Sequence, residues 1–218
     1  QGLPIPSGWK QVTIASRDGD EYEAYTTRHV IVAPIGRRES WILPDGRRSG
    51  HYVEGGRRHL QVLCYMGEKQ GDAYQPWGPV VLTAKGYQAR NVLDAFTTWD
   101  KVTAAVRRQV APNVPPWCFY LALGTFDKER RAVIVGKAGA QSTITPVGAY
   151  VPSEIGEKHL KTLFVGQEVA SIMADLQDQA ADWLAAWKAP QKSQDTGDDT
   201  PDNFDPAWNM EYPEDVPF

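Results

Sequence analysis

The sequence predicts a mainly β, β-rich α+β fold: a Greek-key barrel with one helix between strands, an added C-terminal helix and a disordered acidic tail. Three observations predict it. Runs rich in β-branched and aromatic residues alternate with turn signals through residue 86. The hydrophobic period then becomes that of a helix near residue 87, and again near residue 167. Finally, residues 191–203 contain no apolar residue that a core could bury.

Five runs before residue 87 are predicted as strands, and the turn signal RDGD separates the first two. They are residues 9–16, 21–34, 40–44, 57–66 and 79–86. The segment GEKQGDAYQPWG (67–78) is rich in Gly, Pro and aromatic residues, so it is predicted as a loop.

A long amphipathic helix is predicted from Tyr87 to Val110, with Pro112 just beyond its end. A strand hairpin over residues 117–126 and 131–138 follows, and then two weaker strands over 142–152 and 159–166. A Greek-key barrel of the oligonucleotide-binding (OB) type has a helix between its third and fourth strands. The element order is therefore compatible with an OB-like domain over residues 1–166, and a generic α+β sheet domain also fits.

A second amphipathic helix is predicted after residue 166, in the segment 167–190. Its apolar stripe fits packing on the body or a self-association interface, and both alternatives stay open. Residues 191–218 are predicted to be a disordered acidic tail.

The net charge of −4 is distributed unevenly along the chain. Residues 191–218 hold eight acids and one base, which leaves 22 bases and 19 acids in residues 1–190. The body is thus about +3 and the tail −7. A mildly basic body beside an acidic tail indicates an anionic partner for the body or a tail that binds other proteins.

The most distinctive local pattern is a Gly-Arg-Arg triplet that recurs every ten residues, at 36–38, 46–48 and 56–58. Arginine binds phosphates through a rigid fork of donors, and flat aromatic rings stack on unpaired bases. The candidate nucleic-acid-binding residues are Arg37, Arg38, Trp41, Arg47, Arg48, Tyr52, Arg57 and Arg58. The alternative is a set of solvated turns whose arginines pair with Glu39, Asp45 and Glu54.

The segment 67–78 adds Lys69, Tyr74 and Trp77 to these candidates. Large aromatic residues in such a segment form either a packed lid or an exposed stacking platform, and the sequence does not separate the two.

Signals for an enzyme are weak, and we predict no catalytic residue, no cofactor and no metal. The acidic residues at 18–23 fit a hairpin turn better than the metal site of a nuclease. Cys64 and Cys118 lie in apolar runs and are predicted to be buried free thiols. No run approaches the ~20 apolar residues of a membrane helix, so we expect no membrane partner and a cytoplasmic location.

The residues EDVPF at 214–218 closely resemble the acidic tip of bacterial single-stranded DNA-binding proteins, which have a run of Asp followed by Ile-Pro-Phe. Glu214, Asp215, Val216, Pro217 and Phe218 match it residue by residue, with Glu for Asp and Val for Ile. Several phage single-strand-binding proteins likewise close with an acidic tail and a Phe. In that family the tip recruits replication, recombination and repair enzymes, so the resemblance implies a partner-docking role for these five residues.

Together these observations predict a non-enzymatic protein that coats single-stranded DNA with little sequence specificity, in a bacterial cell or a phage-infected host. Homo-oligomers are compatible with this role. The first alternative is a replisome-associated adaptor that carries the same tip without binding nucleic acid, and the second is a nuclease.

Overall fold

A computed structural model of the chain describes residues 5–6, 8–15, 20–71, 73–126, 147–152 and 154–185. Strands β1 (Lys10–Ala15) and β2 (Glu21–Thr26) form a separate antiparallel pair. The main sheet contains the other six: β3 (His29–Ile42), β4 (Arg48–Ser49), β5 (Arg57–Gln70), β6 (Ala73–Lys85), β7 (Leu121–Gly124) and β8 (Gly148–Ala149).

The main sheet is antiparallel and runs in the order β6–β5–β3–β7–β8, with β4 beside β3. No pairing joins the outer strands β6 and β8 within the described ranges, so the sheet is not closed into a barrel there. A register shift between Pro34 and Gly36 marks a bulge in β3. Such bulges bend the strand that carries them.

The core lies along β3 and β5, where Val32, Leu60, Val62 and Cys64 are fully buried. Helix α1 (Tyr87–Val110) contacts β5, β6 and β8. Its buried positions repeat every three or four residues and are Ala89, Val92, Leu93, Ala95, Phe96, Trp99 and Thr103. Each large apolar side chain buried in this way stabilises the fold by roughly 1.5–3 kcal/mol relative to exposure.

Three shorter helices follow: α2 (Glu157–Leu163), α3 (Gln167–Gln179) and α4 (Ala181–Ala185). Both α3 and α4 contact β3. A Cβ atom built on Gly36 would lie 2.8 Å from Cδ1 of Leu184, so a larger residue at position 36 would require the Leu184 side chain to move.

The β-rich α+β class is confirmed, and α1 occupies the predicted range 87–110. The predicted strands 57–66 and 79–86 are present and extend further, as β5 and β6. The segment 67–78 is not a loop. Lys69 pairs with Tyr74 across a tight turn at Gly71, whose φ is 60°, so both strands continue through the segment. Among the described residues β6 pairs only with β5, and this position accommodates its prolines, because an outer strand needs hydrogen bonds on one edge only.

Three further predictions were wrong. The run 21–34 breaks near Arg28 into two strands, and residues 40–42 belong to β3, not to a separate strand. Residues 159–163 are helical, because Leu160 and Leu163 are buried one turn apart and Glu157 pairs with Lys161 at 2.6 Å.

The second predicted helix is interrupted at Ala180, where α3 ends. The predicted strand 131–138, most of 142–152, and residues 186–218 lie outside the described residues. The division into 1–166, 167–190 and 191–218 stays a prediction.

Candidate nucleic-acid interface

Eight of the predicted site residues lie at one end of the main sheet, where β3 ends and β5 begins. We call this group the arginine end; it comprises Arg37, Arg38, Trp41, Arg47, Arg48, Tyr52, Arg57 and Arg58. The connection over residues 43–56, which contains β4, joins the two long strands there. Because β3 and β5 pair antiparallel, Arg58 lies opposite Trp41, whereas Arg37 lies opposite Val62, four residues further along β5.

The strand register divides the arginine end between the two faces of the sheet. Trp41 pairs with Arg58, and Ile42 pairs with both Arg57 and Arg48. Directly opposed residues share a face, and successive residues alternate between faces. The first face therefore carries Arg37, Glu39, Trp41 and Arg58, and the second face carries Arg38, Ile42, Arg48 and Arg57.

Glu39 connects the two arginines of the first face. Arg58 donates to Glu39 Oε2 from Nη2 at 2.8 Å and from Nε at 3.0 Å. Arg37 Nε lies 3.8 Å from Glu39 Oε1, and the Arg37 side chain is 55% exposed. The carboxylate thus holds two guanidinium groups at the surface of the sheet.

Two aromatic rings lie beside these charges. The Arg58 guanidinium is 5.7 Å from the centre of the Trp41 ring, a cation–π distance. Tyr52 meets Trp41 edge to face at 4.8 Å and is itself 70% exposed. The first face therefore combines cationic groups with an accessible aromatic surface.

Arg38 on the second face is held from three directions. Its Nε donates to Gln61 Oε1 at 2.8 Å, and its Nη1 donates to the backbone oxygen of Trp183 at 3.3 Å. The guanidinium also lies 3.9 Å from the centre of the Trp183 ring. Burial, and secondarily the positive charge of Arg48, lower the pKa of Arg38 to about 10. The group stays charged at neutral pH while it anchors α4.

Arg47 lies in the turn between β3 and β4, where the backbone N–H of Leu43 donates to the Arg47 carbonyl oxygen at 2.8 Å. Its Nε donates to Asp45 Oδ2 at 2.7 Å and its backbone N–H donates to Asp45 Oδ1 at 3.0 Å. These bonds to Arg47 hold the pKa of Asp45 below its usual value. Gly46, between the two, has a φ of 83° that favours glycine. The side chain of Arg47 is 76% exposed, so the pair leaves it accessible to solvent.

Lys69, Tyr74 and Trp77 are not brought to the arginine end. They lie near the opposite end of the β5–β6 pair, and Lys69 is roughly 35 Å from Arg58 along an extended strand. Tyr74 packs against the Tyr120 ring at 5.8 Å, and burial raises its pKa. Trp77 is half-buried against the core, whereas Lys69 is exposed.

Sequence reasoning did not identify Gln61 and Trp183 as parts of this region. Gln61 could have been identified from the sequence, since it is a single polar residue within the otherwise apolar run LQVLCYM and a polar residue there needs a hydrogen-bond partner. Trp183 is 145 positions from Arg38, and nothing in the local pattern connects them.

The structure also bears on other types of site. Among the residues that the structure describes, no three His, Cys, Asp or Glu side chains are grouped as a metal site would require. Cys64 and Cys118 are buried free thiols, as predicted. Burial raises their pKa values to about 12 and about 11 respectively, so both are protonated at neutral pH.

No helix in the described ranges is long and apolar enough to cross a membrane. The tip residues 214–218 lie outside those ranges. In comparisons with known proteins, no protein-family model, no curated protein and no solved structure matches this chain.

Proposed function

We propose that this chain is a single-stranded DNA-binding protein and that the arginine end is its contact with nucleic acid. One observation carries the proposal: Arg58 lies on Trp41 beside the exposed Tyr52, with Arg37 on the same face. Cations that follow a backbone, beside rings on which bases stack, are the usual elements of sites that bind single strands without reading sequence.

The pairs with Glu39 and Asp45 are compatible with binding. Ion pairs between partly exposed side chains contribute only about 0–1 kcal/mol, because water and salt screen them. A phosphate can therefore replace Glu39 at Arg58 at small cost. A fork-shaped guanidinium can also donate two bonds to the incoming phosphate.

The order of the strands supports an OB-like architecture for the main sheet. Strands β3, β5 and β6 form an antiparallel meander, α1 follows the third of them, and β7 returns antiparallel to the first. That is the sequence of elements in an OB barrel, whose second and third strands and first inter-strand connection bind oligonucleotides. In this chain the first inter-strand connection is residues 43–56, which carry Arg47, Arg48 and Tyr52.

We further propose that Glu214, Asp215, Val216, Pro217 and Phe218 dock on replication, recombination or repair enzymes. The support is the match of these residues to the acidic tip of single-strand-binding proteins. A phenyl ring that enters an apolar pocket, with acids facing a basic rim, gives both affinity and steering. By the same resemblance, the protein acts in the cytoplasm of a bacterial cell or an infected host.

A second candidate function is an adaptor that carries the tip and does not bind nucleic acid. The pairing of Arg58 with Glu39 and of Arg47 with Asp45 favours it, because internal pairs satisfy arginines that need no external anion. The two functions differ in how the protein responds to an oligonucleotide.

The test is a titration of labelled oligo-dT and of a matched duplex at two salt concentrations. If about four phosphates are contacted, log K should fall with log salt at a slope of about −3 for the single strand. The matched control is Lys101→Ala with Arg108→Ala, two exposed cations well along α1 from its start, whose removal should not change affinity. Equal affinity for duplex and oligo-dT, or no binding at low salt, would favour the adaptor.

A further inference from the structure

We infer that the second face of the sheet holds a subsite for one nucleobase, formed by Arg38, Ser40 and Gln61. In the structure Trp183 covers this subsite, and a bound single strand displaces the cover. The inference rests on the proposed function. It deepens that function because it adds a ligand contact on the face opposite Trp41 and gives α4 the role of a cover.

Four polar side chains lie together on the second face. Arg38 pairs with Gln61 across β3 and β5, and Ser40 pairs with His59 in the same way. Ser40 follows Arg38 by about 7 Å on the same face, because alternate residues of a strand share a face. Both Ser40 and His59 are buried. The part of this face toward the arginine end is therefore polar, although it belongs to two central strands.

The Ser40 hydroxyl is the group that indicates a ligand. Ser40 is 1% exposed, and its Oγ has no hydrogen-bond partner among the described residues. A buried hydroxyl without a partner destabilises a fold, whereas an alanine in the same place carries no such cost. A hydroxyl at this position is explained if a ligand bonds to it.

Trp183 occupies the place on Arg38 that a base would take. Its ring centre lies 3.9 Å from the guanidinium, and its backbone oxygen accepts a hydrogen bond from Arg38 Nη1 at 3.3 Å. A nucleobase offers the same two groups, since every base has a π-face and most carry a carbonyl oxygen. A base can therefore replace Trp183 and keep both types of contact with Arg38.

Gln61 adds hydrogen-bonding groups beside the guanidinium. Its Oε1 accepts from Arg38 Nε at 2.8 Å, which fixes the carboxamide against the arginine. A carboxamide also has two N–H donors, and a serine hydroxyl can both donate and accept. The oxygen-bearing edge of a base such as thymine can accept bonds from these groups.

Helix α4, which carries the cover, is held to the body by few side chains. It has five residues, and none of them is buried. Its contacts with β3 include Trp183 on Arg38 and Leu184 against Gly36. Segments with few buried apolar side chains open locally at low free energy without unfolding the rest of the fold. Helix α4 can therefore leave the second face while the core beneath α1 stays intact.

The experiment compares the full chain with three variants, Trp183→Ala, Ser40→Ala and Ile172→Ala, by oligo-dT titration and thermal unfolding. Ile172→Ala is the matched control, because it shortens an apolar side chain of α3 that is 40% exposed and outside the subsite. Hydrogen exchange over residues 37–52 and 181–185, measured on the unaltered protein with and without oligo-dT, reports whether α4 leaves.

Trp183→Ala should bind oligo-dT about fivefold more tightly, because the strand no longer has to displace a ring from the guanidinium. Ser40→Ala should bind about fivefold more weakly and yet melt at a higher temperature, because it loses a bond to the ligand and removes an unpartnered hydroxyl from the free protein. Ile172→Ala should stay within about twofold of the unaltered affinity. Oligo-dT should slow hydrogen exchange over residues 37–52 and speed it over 181–185.

The outcomes separate this inference from the proposed function. If neither the unaltered protein nor Trp183→Ala binds oligo-dT, the proposed function fails and the inference fails with it. If oligo-dT binds, but Trp183→Ala is unchanged or weaker, or exchange over 181–185 does not rise, only the inference is overturned. The same holds if Ser40→Ala keeps its affinity or melts at a lower temperature, as it would if a buried water satisfied the hydroxyl.

Discussion

Replacing Glu39 by Gln tests whether the carboxylate competes with a bound phosphate or orients the arginine that receives it. The change keeps the shape of the side chain and one oxygen acceptor but removes the negative charge. In the folded protein that charge accepts two bonds from Arg58, at 2.8 and 3.0 Å, and lies 3.8 Å from Arg37. We expect the Gln variant to bind single strands more tightly.

The magnitude follows from the partial exposure of the pair, about 30% for both Arg58 and Glu39. Such a pair contributes up to about 1 kcal/mol, and this attraction must be given up when a phosphate displaces the carboxylate. Removing the competition should therefore tighten binding by about 1 kcal/mol, or about fivefold. The same loss should lower the melting temperature by about 2–4 °C in a chain of this size.

The assay is an oligo-dT titration at low salt, together with thermal unfolding. Glu54→Gln is the matched control, because it removes the same charge from an exposed position in the neighbouring connection. Its affinity should change less than that of the Glu39 variant. Weaker binding by a well-folded Glu39→Gln protein would refute the reasoning and show that the carboxylate positions Arg58 for its ligand.

Three other predictions concern different parts of the molecule. Trp41→Ala should weaken binding of oligo-dT by about 1–3 kcal/mol and leave the salt slope nearly intact, because stacking releases few counterions. Replacing Arg37, Arg48, Arg57 and Arg58 together by Ala should instead flatten that slope. Gly36→Ala should destabilise the fold by about 1 kcal/mol or less in urea unfolding, because the added methyl displaces only the end of the half-buried Leu184 side chain, and adding Leu184→Ala should recover that loss; simple additivity would contradict the close contact. Deleting residues 216–218 should abolish capture of a purified replication or repair enzyme without reducing affinity for oligo-dT, and retained capture would assign the tip no docking role.

The sequence predicted an element correctly where its hydrophobic pattern was long and involved only neighbouring residues. Helix α1 was predicted at its observed bounds because its apolar residues keep one period over 24 residues. The segment 67–78 was misread because Gly and Pro are turn signals, yet the turn lies at Gly71 and the prolines lie on β6, which is an outer strand among the described residues. Local composition does not reveal which strand will be outermost.

The candidate site was predictable in part. The ten-residue repeat suggested that the three triplets would lie near strand ends along one rim; in the structure Arg57 and Arg58 begin β5, whereas Arg37 and Arg38 lie opposite Val62 and Gln61, several residues further along the sheet. The alternation of side chains along a strand also implies that adjacent arginines diverge, and this consequence was not drawn from the sequence. The contact between Arg38 and Trp183 could not be predicted from the sequence, because it depends on how α4 packs on β3.

The prolines of β6 bear on how copies of this protein can crowd together. Pro76 and Pro79 are exposed on β6, an outer strand of the sheet within the part of the chain that the structure describes, and neither has an amide hydrogen to offer. An exposed strand edge is otherwise a template on which a neighbouring chain can add its own strand, which is one route to irreversible aggregation. If the protein coats single strands as proposed, its copies reach high local concentrations along the ligand. With the edge interrupted at two points, neighbouring copies are expected to meet through side chains and to separate again when the ligand is released.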